Sequence, residues 1–184
     1  MQIRKATTKD IPAIEAMYHD RVLYNDGHDM HQWRLEQVSW ECFSQLYTID
    51  DYYVAEENNT IVGGCFIVDI DELYWPDEPK GAALYLHKIV VHPHHSGKGY
   101  ADALITFFKE KGRKEGYPEV RIDVREKKTK LRAMYERNGF KLLKNGQFVS
   151  EIYNRTLSLP ILDAELSASF LMSTKGSANA TYGC

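Results

Sequence analysis

The stretch that most restricts what this chain can fold into is ALYLHKIVVHPHHSGKGYADALITFF, Ala83 to Phe108. Its first part, Ala83 to Val91, is apolar at odd and even positions alike, apart from His87 and Lys88. A strand patterned that way has to be covered on both faces, so it belongs in the middle of a sheet flanked by helices. Its last part places Ala101, Leu104, Ile105 and Phe108 at i, i+3, i+4 and i+7, the apolar stripe of a helix that packs on such a sheet. Between them lies a loop with three histidines and two glycines, and a strand that bends through glycines into a helix is a demanding local geometry.

The rest of the chain supplies the sheet and its cover. MQIRKAT alternates as a short strand. KDIPAIEAMYHDRVLYN puts Ile11, Ile14, Tyr18 and Val22 on one helical face, with Asp10 at the N-cap and Pro12 in the first turn. Trp33 to Tyr47 reads as a second helix, and YYVAEE, Asn58-Asn59 and TIVGGCFIVDI read as a β-hairpin. DELYWPDEPKGA is an aromatic loop punctuated by Pro and Gly, of the kind that covers a site. Gly116 and Pro118 end the central helix; EVRIDV is a strand, TKLRAMYERNGF a helix stopped by Gly139, and FKLLK and FVSEIYNRTL are closing strands. The order β-α-α-β-β-β-α-β-α-β-β predicts one mixed α/β (α+β) domain over residues 1–160. Residues 161–184 shift to Ser and Ala and read as a C-terminal tail, with room for one short helix at Ile161 to Met172. The tail and the last strands are the candidate surface for a homodimer.

Charge and cysteine content narrow the partners. A net charge of −3 lacks the basic footprint of a nucleic-acid binder. The N-terminus turns polar too soon for a signal peptide, and the longest apolar runs are too short to cross a bilayer. Cys42, Cys65 and Cys184 are far apart and form no metal-type or paired spacing, so they read as free thiols in a reducing compartment. The expectation is a cytoplasmic protein with neither nucleic acid nor membrane as partner.

A strand that ends in a glycine turn and opens a helix offers unpaired N–H groups and the positive end of a helix dipole, which suits a bound diphosphate. The spacing His94-x-x-Gly97-x-Gly99 is neither the dinucleotide fingerprint nor the P-loop. It does resemble the acyl-CoA-binding motif of the GNAT superfamily of N-acetyltransferases, in which V-x-P is followed by [R/Q]-x-x-G-x-[G/A] and a helix. KLRAMYERNGFKLL resembles the later segment of that superfamily, A-x-x-x-Y-E-[K/R]-x-G-F, and the likeness covers about Ile3 to Leu157.

That resemblance implies a GNAT-like fold, with a central, mostly antiparallel sheet that splays at the cofactor-binding strand. It implies acetyl-CoA as donor and a small-molecule or peptide primary amine as acceptor. It places backbone groups of Ile89, Val90 and Val91 along the pantetheine arm. His94, His95, Ser96, Gly97, Lys98, Gly99, Tyr100 and Ala101 would surround the pyrophosphate. Two positions depart from the pattern: His94 stands for the usual Arg or Gln, and Lys128 for an Asn that often touches the cofactor in relatives.

Amide formation from a thioester has two proton problems. An alkylammonium with a pKa of about 10.4 must lose a proton before it can attack, and the departing thiolate gains from receiving one. Tyr135 is the candidate acid, because a phenol keeps its proton at pH 7 and because it matches the motif tyrosine. His87 is the candidate base, a polar residue inside an otherwise apolar central strand. Glu56, Asp69 and Asp71 are alternatives. The N–H of Ile89 or Val91 is placed to polarise the carbonyl. Trp33, Tyr74 and Trp75 are candidates for the acceptor side. Each of these also has a purely structural reading, as core packing or as a hydrogen-bonded core histidine. Two other functions compete: a non-catalytic acyl-CoA-binding module on the same fold, and a metal site built from His87, His92, His94 and His95. For the metal, Pro93 interrupts the histidines and no cysteine is near, so no metal is expected.

Overall fold

The computed structural model describes residues 1–124, 128–144 and 147–151. The 161–184 tail, Cys184 and the end of the last predicted strand, from Ile152 onward, lie outside the described residues.

Among the described residues seven strands form one sheet: β1 (Gln2–Lys5), β2 (Tyr52–Glu57), β3 (Thr60–Val68), β4 (Leu84–Val91), β5 (Glu119–Asp123), β6 (Lys141–Lys144) and β7 (Gln147–Glu151). Their spatial order is β1-β2-β3-β4-β5-β7-β6. All neighbours are antiparallel except β4 and β5. That single parallel pair requires a crossover, which the helix α3 (Tyr100–Glu115) provides. Helices α1 (Ile11–Asp26) and α4 (Thr129–Arg137) complete the cover, so the element order is the one the sequence predicts.

Two large clusters form most of the core, one on each face of the sheet, and a small third gathers Trp75, Ala83 and Tyr85. On one face Leu104, Ile105 and Phe108 of α3 lie against Cys65, Leu86 and Ile122. On the other, Ile14, Tyr18 and Val22 of α1 lie against Phe43, Val54 and Phe66. Leu86 and Val90 of β4 fall in different clusters, which is why this strand carries no polar face. Asn58 and Asn59, with φ of 51° and 61°, close the β2–β3 hairpin in the left-handed geometry that favours asparagine there.

The predicted helix over Trp33 to Tyr47 is shorter than expected. It resolves into a 3₁₀ turn (Leu35–Gln37) and the single turn α2 (Trp40–Phe43). Ser39 starts α2 afresh, its hydroxyl accepting the Cys42 N–H at 3.2 Å, while the Trp40 N–H donates to Glu15 of α1 at 2.6 Å. Val38 and Phe43 reach the core without a continuous helix, so periodicity alone overstated its length.

The feature that positions the site is a break in the middle of the sheet. Pairing of β4 with β5 runs from Leu84↔Val120 to Leu86↔Ile122, and the rest of β4, His87 to Val91, continues without it. On the other side, the β3–β4 register slips between Gly64 and Phe66, opposite Lys88 and Ile89. Lys88 sits at φ 50°, left-handed for a residue with a side chain, so β4 bulges there and swings away from β5. The expected splay is present.

Candidate active site

The break opens two clefts that meet. The first, about 710 Å³, lies between the end of β4 and the starts of α3 and α4. The second, about 520 Å³, lies over His87 and the start of α4. Ile89, Trp33, Lys128 and Leu131 line both, so the bulged strand is the shared wall.

The first cleft has the chemistry of a phosphate and amide binder. Gly97 and Gly99 stand at φ 78° and 82°, and nothing lies within 4 Å of where a Cβ would be. These glycines are therefore set by backbone conformation, which turns the loop so that α3 opens into the cleft. The His95 and Ser96 amides are spent on His92 and Pro93 carbonyls at 2.9 and 3.1 Å. The next amides belong to the first turn of α3, where N–H groups lack intrahelical acceptors and the dipole favours an anion. Arg21, Lys130 and Arg137 stand on the walls, and Nδ1 of His95 is buried without a hydrogen-bond partner. This set fits a CoA-type diphosphate.

Of the residues the sequence assigns to the cofactor, all line this cleft except His94 and Lys98, which are exposed on the outer side of the loop. His94 packs beside His92, ring centroids 5.3 Å apart, and its amide donates to His92 Nδ1 at 3.3 Å. His92 Nε2 therefore carries the hydrogen and donates to Asp20 at 3.1 Å. Among the described residues no three His, Cys, Asp or Glu groups are arranged to hold a metal ion.

Sequence reasoning missed Arg21. Its Nε donates to the Val91 carbonyl at 2.9 Å, its Nη2 reaches the same oxygen, and Nη2 also donates to Ser96 Oγ at 2.8 Å. One turn earlier, the Tyr18 hydroxyl donates to the Lys88 carbonyl. Helix α1 thus pins both ends of the bulged segment. The Val91 amide faces away from β3, because the neighbouring His92 N–H is the one that donates to Val62 at 2.9 Å.

Lys128 is better placed than a solvated lysine would be. Its ammonium donates to the Met30 carbonyl at 3.2 Å and to the His31 carbonyl, tying the start of α4 to the loop after α1 across both clefts.

In the second cleft His87 stands between two carboxylates. Its Nδ1 lies 3.2 Å from Asp123 Oδ1, within hydrogen-bond geometry. Its Nε2 lies 3.3 Å from Asp71 Oδ2, an ion-pair distance without hydrogen-bond alignment. Asp71 is almost wholly buried, and burial pushes its carboxyl up from the usual carboxylate range, against the pull of His87. Asp123 lines the cleft, with a quarter of its side chain exposed (25%). The Asp123 carboxylate adds to the upward push on Asp71, so burial and like charge both favour its neutral form.

Tyr135 is also in this cleft, on α4 and only 3% exposed. Burial, with the Asp123 charge adding, lifts its hydroxyl well above the ordinary phenol value, so it stays protonated. Tyr47 and Tyr74 flank His87, ring centroids 5.8 and 6.2 Å away. Trp33 stands at the junction with its ring edge-on to Tyr18 at 5.4 Å.

Some candidates are not brought here. Trp75 is buried elsewhere, with the Arg121 guanidinium 4.3 Å over its ring and Tyr85 beside it at 6.1 Å. Glu56 pairs with Arg4 at 2.8 Å, and Asp69 with Lys80 at 3.6 Å. The described cysteines, Cys42 and Cys65, are buried and line neither cleft. No helix among the described residues is long and apolar enough to cross a membrane.

Comparison with known proteins agrees with this geometry. Residues 14–140 match the family model described as the acetyltransferase (GNAT) family. An acetyltransferase of Yersinia pestis (strain Pestoides F) is 37% identical over 86 residues, 47% of this chain and 54% of the relative. An acetyltransferase of Yersinia pseudotuberculosis serotype I (strain IP32953) matches to the same extent, so the match spans about half the length of these curated relatives. Among solved structures, a GNAT-family acetyltransferase from Listeria monocytogenes 4b F2365 superposes with a TM-score of 0.66 at 24% identity, covering 80% of this chain and 91% of that one. The PaiA N-acetyltransferase from Thermoplasma acidophilum, in complex with coenzyme A, superposes at 0.60 with 18% identity, covering 82% and 98%. With the family model matching well over half the chain and the bulged, splayed strand at its centre, this protein belongs to the GNAT acetyltransferase family.

Proposed function

We propose that the protein transfers an acetyl group from acetyl-CoA to a primary amine by direct attack within a ternary complex. The observation that carries this is the meeting of the two clefts at Ile89, where β4 has left β5. A diphosphate-carrying donor in the first and an amine in the second would have their reacting atoms at one shared wall. Direct attack is favoured over a covalent relay because neither described cysteine reaches a cleft.

Acetyl-CoA supplies an acyl carbon on a thiol leaving group. The chain's own residues do the rest. The free edge of β4 at Ile89 to Val91 pairs with the amides of the pantetheine arm, and an N–H on that edge polarises the thioester carbonyl. The loop glycines and first amides of α3, with Arg21 and Arg137 near, hold the pyrophosphate. Asp123, backed by His87 and Asp71, takes the proton that the acceptor must lose, and Tyr135 returns one to the thiolate. The C–N bond forms, the C–S bond breaks, and one proton leaves to solvent for each ammonium consumed.

The test is release of CoA thiol from acetyl-CoA across an amine library, with the acetylated amine identified by mass spectrometry. Intersecting initial-rate patterns, and a kcat lowered about 100-fold or more in Asp123→Asn and His87→Gln at unchanged acetyl-CoA affinity, are expected. Tight acetyl-CoA binding with neither transfer nor hydrolysis on any amine would sink the proposal in favour of a binding module.

A further inference from the structure

We infer that the acceptor is a hydrophobic monoamine, a single ammonium on an apolar body; this rests on the second cleft being the acceptor site. The cleft is divided by chemistry from floor to rim. At the floor lie His87 and the part-exposed carboxylate of Asp123, which attract one cation. Above them the rings of Tyr47 and Tyr74 flank the imidazole, offering π-faces to an ammonium and apolar surface to the carbon behind it.

The rim is apolar where a protein surface is ordinarily polar. Leu46 is 60% exposed, Leu73 59% and Tyr74 44%, and all three line this cleft from two loops distant in sequence. Apolar surface of that kind gathered at the mouth of a pocket is a ligand contact rather than scattered exposure. Among the described residues the lining lacks matching seats for a second charge. Among the described residues Glu72 is its only other carboxylate, and it stands exposed in solvent, where screening makes it a weak partner. An acceptor carboxylate fares no better: the Lys128 ammonium is taken by the Met30 and His31 carbonyls, and that of Lys88 lies over the Phe43 ring, 5.5 Å from its centroid. Phe43 belongs to the core on the α1 side, away from the cleft. Diamines and amino acids are therefore poorer acceptors than amines with an alkyl or aryl tail.

Three probes isolate the tail: ethylamine, n-hexylamine and 1,6-diaminohexane, whose amines have nearly the same basicity. The expected order in kcat/KM is hexylamine above both others, by about tenfold or more, since each methylene buried gains about fourfold. Leu73→Ser and Leu46→Ser should cut the hexylamine value about three- to tenfold, a larger loss than they cause for ethylamine. Diaminohexane equal to or better than hexylamine, or a lysine-containing peptide better than both, overturns the inference while leaving acetyl transfer intact. Calorimetric binding of the same three amines to the protein–CoA complex reads the preference without turnover. Tail-dependent binding lost in Leu73→Ser supports the inference even if no amine is acetylated, and that outcome would refute the transfer reaction alone. Equal binding of all three overturns it.

Discussion

Replacing Tyr135 with phenylalanine removes one oxygen from a ring that is 3% exposed and packs with Phe140 at a centroid distance of 6.1 Å. The ring contacts survive, so folding should lose no more than about 1.5 kcal/mol, the scale of one hydrogen bond. Catalysis should lose more. A positioned proton donor contributes about 10²- to 10⁴-fold, and burial weakens this one as an acid by pushing its pKa far above that of a thiol. The lower end is therefore expected: kcat down about 100-fold, or about 2.7 kcal/mol at 1.36 kcal/mol per decade. Thiol release at saturating acetyl-CoA and amine measures kcat, and the acetyl-CoA KM should stay within about threefold because Tyr135 lines only the acceptor cleft. The raised pKa adds a sign. The phenol keeps its proton to higher pH than usual, so wild-type kcat should not fall through about pH 10, where an ordinary tyrosine ionises. A variant with kcat within threefold of wild type, at preserved stability, refutes the role of Tyr135 as acid.

Gly99→Ala places a side chain at φ 82°, a cost of about 1–2 kcal/mol that displaces the start of α3; the acetyl-CoA KM should rise about tenfold with little change in kcat, and an unchanged KM would count against the cradle. Gly64→Ala sets a Cβ 2.5 Å from the Tyr52 hydroxyl in the core, so denaturant unfolding should show a loss of about 1–3 kcal/mol, and a neutral result would mean that Tyr52 swings aside freely. Arg4 donates to Asp10 at 2.9 Å and, with Thr7, holds that carboxyl well below the usual carboxylate range. A depressed folded pKa stabilises above the unfolded value of about 4 and is lost as pH falls below it. The Tm gap between wild type and Asp10→Asn should thus be widest near neutrality and close on acidification below about pH 4; a gap that widens there would refute the assignment.

What the sequence made legible was local or repeated. The two-faced apolar pattern of β4, the glycines that turn into α3 and the apolar stripe of α3 each follow from nearest-neighbour geometry, and the structure has all three. His87 stood out because a polar residue in such a strand requires a partner. The partners themselves were not legible. Asp123 lies 36 residues away and reaches His87 only because β5 runs parallel beside β4. Arg21 reaches Val91 from 70 residues away through the packing of α1 across the sheet, and nothing in the spacing of α1 marks it. Trp75 shows the converse: an aromatic residue in a loop beside the site looks available, yet cation–π contact with Arg121 draws it inward. Lys128 shows in the sequence only as a departure from the family pattern, and the two carbonyls that receive it come from the loop after α1, about a hundred residues earlier.

The parting of β4 from β5 has a consequence for solubility. A strand that leaves its neighbour inside a sheet presents unpaired amides and carbonyls, the same template on which misfolded chains stack. Here that edge is short, recessed between α1 and α4, and capped by a permanent positive charge, since the Arg21 guanidinium already holds the Val91 carbonyl. The Val91 carbonyl is thus withheld from an incoming strand, which makes this edge a poorer template for stacking than a bare strand edge.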